Sequence, residues 1–138
     1  MESIFGPVLG MFVLTFVVWV YMFAKRIPWI TRANLSDEEM TPLNFMQAMP
    51  PDVAAPSDNL KNLFEMPVIF YALCLYLYVT QQVDQIHVIS AWVFFSFRTL
   101  QSIMHCTINV VIVRFWLYAI SCLALLVMLF RAVASYVG

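Results

Sequence analysis

Charge is scarce in this chain: of 138 residues, 11% are Asp, Glu, Lys or Arg, against about 25% in ordinary soluble domains. The seven basic and eight acidic residues leave a net charge of -1. With no basic run among them, nucleic acid is not expected as a partner. The three cysteines (Cys74, Cys106, Cys122) make no CxxC pair and sit within apolar stretches. An odd count of this kind argues against a disulfide framework and reads as buried free thiols. Only two histidines are present. His87 and His105 lie roughly 27 Å apart if both are on one helix, so they cannot share a haem. His105 and Cys106 are adjacent, point about 100° apart on a helix and have no third ligand, which argues against a metal. The same absence of an orienting group argues against a Cys–His nucleophile.

What the chain has in quantity is apolar side chains, 63% of its residues. A protein this short cannot hide that much apolar surface from water, so the expectation is an all-α integral membrane protein. Ile4–Ala24 is long enough for one crossing, and the charges Lys25 and Arg26 follow it. With Glu2 in front, and no positive segment or small-residue cleavage site, it reads as a retained span and not a secretory signal. Leu60–Thr80 is long enough for a second. Ile86–Val137 holds no Gly or Pro, yet as one helix it would reach roughly 78 Å. It must therefore turn back once, and the polar stretch His105–Arg114 is where backbone groups can be satisfied outside hydrocarbon. The expected architecture is a four-transmembrane-helix bundle, a single domain over 1–138. Its spans are near 4–24, 60–80, 86–107 and 113–136, with a long loop over 25–59. Lys25, Arg26, Arg32, Lys61 and Arg114 fall on one side, against Arg131 on the other. The basic side, with the long loop, is expected in the cytoplasm and both termini on the non-cytoplasmic side. Within the loop, Ser36 with Glu39 has capping-box spacing. Thr41-Pro42 starts a second short helix that Pro50-Pro51 would end.

Polar residues inside these spans need a reason. Asn59, Asn62 and Glu65 recur at helical spacing ahead of Pro67, and Arg98, Gln101 and His105 form a stripe on the third span. Glu65 is the one carboxylate within the expected spans and Arg98 lies deep in its helix, so the two are expected to pair. Two readings stay open. The pair is a register lock between helices, or it floors a polar pocket walled by Asn59, Lys61, Asn62, Gln101, His105 and Arg114.

"NLFEMPVIFYAL" and "RTLQSIMHCTINVVIVRF" resemble the superfamily of membrane-associated proteins in eicosanoid and glutathione metabolism (MAPEG), in its short bacterial form. The resemblance runs over nearly the whole chain. It implies a homotrimer in the bacterial inner membrane, with sites between subunits toward the cytoplasm. Glutathione would be the co-substrate, with neither metal nor haem, and a lipophilic small molecule arriving from the membrane lipid would be conjugated or reduced. By this resemblance Arg114 is catalytic, activating the thiol. Asn62 and Glu65 contact the tripeptide, Arg98 is the buried arginine of the third span, and Arg26 is a basic residue contributed by the first helix. Asn59, Lys61, Gln101 and His105 complete the expected binding set. The chain departs from eukaryotic members in having Asp58 and Lys61 where they carry arginine, His105 where they carry tyrosine, and an earlier proline, Pro67. The alternative function is a non-catalytic membrane subunit of the same fold, with a structural role or a role in docking to a larger membrane complex.

Overall fold

The computed structural model describes residues 2–138. A 3-10 turn at Glu2–Ile4 leads into helix α1 (Phe5–Ala33), followed by α2 (Pro42–Ala48), α3 (Pro51–Leu63), α4 (Met66–Val79), α5 (Gln85–Cys106) and α6 (Val111–Val137). No strand occurs among the described residues. Three runs are long and apolar enough to cross a bilayer: Phe5–Ala33, Pro51–Val79 and Val111–Val137. The chain is therefore an integral, multi-pass membrane protein. The 29 residues of α1 span roughly 44 Å, more than a hydrocarbon core of about 30 Å. The helix therefore continues past the last apolar residues and carries Lys25 and Arg26 out of the lipid. It closes at Asn34, whose left-handed backbone (φ 49°) is one that asparagine tolerates.

The region between α1 and α4 is more helical than a linker. Pro50-Pro51 does end α2, but Pro51 also opens α3, because proline lacks only a donor that the first turn leaves unpaired anyway. Ser36 N–H donates to Glu39 Oε2 at 2.9 Å, half of the expected box, and closes a turn over 37–40. Between α3 and α4 the helical run breaks at Phe64 and Glu65, and Pro67 stands in the first turn of α4. The turn between α5 and α6 falls within the expected polar stretch, with Asn109 in the left-handed region (φ 54°).

Helix α5 packs along α6 and also meets α1 and α3. Both helices bury small side chains, Ser90 and Ala91 on α5 and Ser121, Ala124 and Ala132 on α6. Lipid gives helices no hydrophobic reason to associate, so close approach through small residues supplies the attraction. Phe70 of α4 stacks on Phe94 of α5 with ring centres 4.3 Å apart. Met11, Leu77 and Met128 are fully buried in the same core. The helix starts and ends fix the polarity of the bundle. Phe5 packs on Tyr78 and Arg131 bonds to Asp84 at one end. Arg26 meets Ser57 and Tyr21 reaches the Cys106 carbonyl at the other.

Candidate functional site

At the Arg26 end, α3 and the α5–α6 turn enclose a polar cleft of about 480 Å³. Asp58, Lys61 and Asn62 line one wall from α3, with Glu65 added by the break before α4. His105, Asn109 and Arg114 line the other. The break matters here. It lets Glu65 leave the helical path of α3 while staying beside Asn62, whose carbonyl accepts the Glu65 N–H at 3.3 Å.

The cleft is electrically balanced. Lys61 pairs with Asp58 at 3.8 Å, one helical turn apart and largely exposed, a contact worth little in water. Arg114 donates Nη1–H to Asn109 Oδ1 at 2.6 Å, which holds the guanidinium at the mouth of the α5–α6 turn. His105 is buried, and its Nδ1 has no partner. Two cations, two carboxylates, two amides and an imidazole thus converge in one solvent-facing space. Such a set suits a ligand that itself carries both signs of charge. The volume lies within the ordinary range for small-molecule sites.

Five of the expected residues come together there: Lys61, Asn62, Glu65, His105 and Arg114. The other four serve packing. Asn59 is buried, accepting from Ser102 Oγ at 3.3 Å and donating to Cys106 Sγ at 3.7 Å. Gln101 is buried and accepts from Arg98 Nη1 at 3.3 Å. Arg26 donates to Ser57 Oγ at 2.9 Å and lies 5.6 Å from the Phe45 ring, which ties α1 to α3 and α2. The expected Glu65–Arg98 ion pair does not form within the chain. No ion pair joins Arg98 to any carboxylate among the described residues, and Glu65 faces outward into the cleft. Arg98 instead points across to α6, where its guanidinium sits 4.7 Å from the Tyr118 ring and 5.5 Å from that of Phe94. Aromatic faces thus take the place of the carboxylate. Tyr118 has a signal in the sequence, since it follows Arg114 by one helical turn, but is not among the expected residues; Asn109 is legible as part of the polar turn and beside the third-span stripe, though outside the expected binding set.

A second concavity, of about 440 Å³, lies on the opposite side of the Leu60–Glu65 segment. Phe12, Phe16 and Trp19 of α1 face Leu63, Phe64 and Tyr71 across it. One stretch of chain therefore separates a polar cleft from an apolar, membrane-facing groove.

A small, all-helical, multi-pass membrane protein with a polar cleft at one end of its bundle and an apolar groove beside it is the class these features define. The chain belongs to the MAPEG family, whose model matches residues 4–134. No curated protein and no solved structure matches it.

Proposed function

We propose that this protein is a glutathione transferase or glutathione-dependent peroxidase of the bacterial inner membrane, acting on a lipophilic substrate. The observation that carries the reading is the gathering of Lys61, Asn62, Glu65, His105 and Arg114 around one cleft. Glutathione has two carboxylates, one ammonium and a thiol. Lys61 and Arg114 meet the negative groups, Glu65 the ammonium, and Asn62 the peptide backbone. A free thiol, with a pKa of about 8.5, is mostly protonated at neutral pH, and a guanidinium beside it favours the thiolate. Arg114 is that guanidinium. In the transferase reaction the sulfur forms a bond to an electrophilic carbon as the leaving group departs. In the peroxidase reaction the sulfur attacks the outer oxygen of a hydroperoxide. The O–O bond breaks, the hydroxyl goes to sulfur as a sulfenic acid, and the alkoxide takes up, by way of His105, the proton that the first thiol lost. The thiol of a second glutathione then condenses with the sulfenic acid to give the disulfide and water.

In this reading α5 is the remaining crossing of a four-span protomer. Its lower hydropathy follows from the polar residues on its buried face, Arg98, Gln101, Ser102 and His105 among them. The protomer assembles as a homotrimer with the cleft on the cytoplasmic side and both termini opposite. The apolar groove beside Leu63 and Phe64 admits the co-substrate from the lipid.

A second reading has its own observation. Asn59, Arg98 and Arg26 are all engaged in contacts between helices, and Gln101 braces Arg98 within α5. A non-catalytic subunit that docks into a larger membrane complex would use polar residues in that way. Turnover separates the two. Arg114→Ala should lower the conjugation of glutathione to 1-chloro-2,4-dinitrobenzene, or the reduction of cumene hydroperoxide, by about 100-fold or more, the scale of losing a charge-stabilising donor. The oligomer should stay intact by light scattering. An inactive wild type, or an Arg114→Ala variant that falls apart, favours the subunit.

A further inference from the structure

Arg98 poses a problem that the glutathione reading leaves unsolved. It is 1% exposed, and its one side-chain hydrogen bond is Nη1–H to Gln101 at 3.3 Å. Nε and Nη2 are buried without a partner. These two atoms form the side-on edge of a guanidinium, the edge that grips anions through two parallel bonds. The Tyr118 and Phe94 faces meet the charge in part but leave these two N–H donors open, and a charge in hydrocarbon costs roughly 3 kcal/mol or more, so the edge calls for a group that can carry negative charge.

The fold says which group is at hand. Helices α5 and α6 run antiparallel from the turn at Asn109, with His105 and Arg114 meeting across the cleft. Continuing that register away from the turn places Arg98 against the face of α6 formed by Tyr118 and, one turn on, Cys122. The Tyr118 contact at 4.7 Å fixes the register. Cys122 and Tyr118 are the ionisable side chains that α6 places beside the guanidinium, with Tyr71 of α4 also within its field. Cys122 is also only half-buried, near the middle of α6, whereas Cys74 is sealed in the core.

We propose that Cys122 is a second reactive centre, a nucleophile for α,β-unsaturated carbonyl compounds dissolved in the bilayer, with Arg98 stabilising the negative charge that the sulfur carries into the reaction. The step is an addition and needs no co-reactant. Sulfur bonds to the β-carbon, the carbon–carbon π bond breaks, and the electron pair passes to the carbonyl oxygen. The proton lost by the thiol ends on the α-carbon. This site uses the chain's own thiol, so it requires no bound glutathione and stands apart from the Arg114 cleft.

Cys106 is the internal control. It is half-buried as well, but its sulfur faces the Asn59 amide at 3.7 Å and not a cation. Cys106 also lies at the end of α5, nearer water, where a reagent from solution reaches it first. Access alone would thus make Cys122 the slower of the two. The test treats the full-length protein in proteoliposomes with trans-2-nonenal and, separately, N-ethylmaleimide, without glutathione, and follows each cysteine by peptide mass spectrometry. Cys122 should react about tenfold faster than Cys106, the scale of thiol activation by a neighbouring cation. Arg98→Gln should abolish that advantage and Arg98→Lys should keep most of it. A wild-type protein in which Cys122 reacts no faster than Cys106 overturns the proposal without recourse to any variant. So does a folded Arg98→Gln protein with unchanged selectivity.

Discussion

Asp84 shows how much one side chain can hold at the end of a helix. It caps α5 by accepting the His87 N–H at 2.9 Å, and its second oxygen takes the Arg131 guanidinium of α6. The cap bond does most to hold its carboxyl below the ordinary carboxylate value; burial opposes it, and the charges of His87 and Arg131 each add a smaller lowering. The sign follows from linkage. A depressed folded value means that this stabilisation is complete above the unfolded value of about 3.9 and is lost as pH falls through the folded one. The thermal midpoint in detergent should therefore drop on acidification below about pH 4, and Asp84→Asn should flatten that part of the profile. An identical acid limb in Asp84→Asn would show that the carboxylate contributes nothing. Asp84 stood in plain view in the sequence, but its partner did not, since Arg131 lies on another helix and its contact depends on the packing of α6. The same limit explains Arg98. Its need for a partner was legible from its depth, whereas the partner was set by which face of α5 meets α6. Glu65, chosen as the sole carboxylate in the spans, is carried outward by the break at Phe64.

Elements were legible where proline, asparagine and polar clusters punctuate the chain. The turn near Asn109 and the short helix opening at Pro42 follow directly from those residues. The segment 51–59 was not, because Pro56 and its polar neighbours give a linker composition. Packing of Val53 and Ala55 makes it a helix regardless. Contacts between elements hang on single small residues. A Cβ on Gly10 of α1 would come within 2.7 Å of the Phe95 ring of α5. Gly10→Val should therefore cost about 1–3 kcal/mol in chemical or thermal unfolding, the range for overpacking a tight contact. Pairing it with Phe95→Leu should restore part of the loss. An unchanged midpoint for Gly10→Val would mean that α1 and α5 slide apart freely.

At the scale of the whole molecule, the family, the helical class and the membrane location could be read from sequence because each depends on composition and local motif. The cleft could be read only in part. Lys61, Asn62 and Glu65 share one short stretch, and His105 and Arg114 flank one turn, so proximity in sequence brought each subset together. Whether the two subsets met depended on the packing of α3 against α5, which no spacing reveals. Their meeting produces a space with two cations and two carboxylates at one end of an otherwise apolar bundle. The most direct measurement is calorimetric titration of glutathione into the detergent-purified protein, with Arg114→Ala beside it. Binding in the micromolar-to-millimolar range that the variant loses is the result predicted. No heat from a wild-type protein that is folded and oligomeric would contradict it.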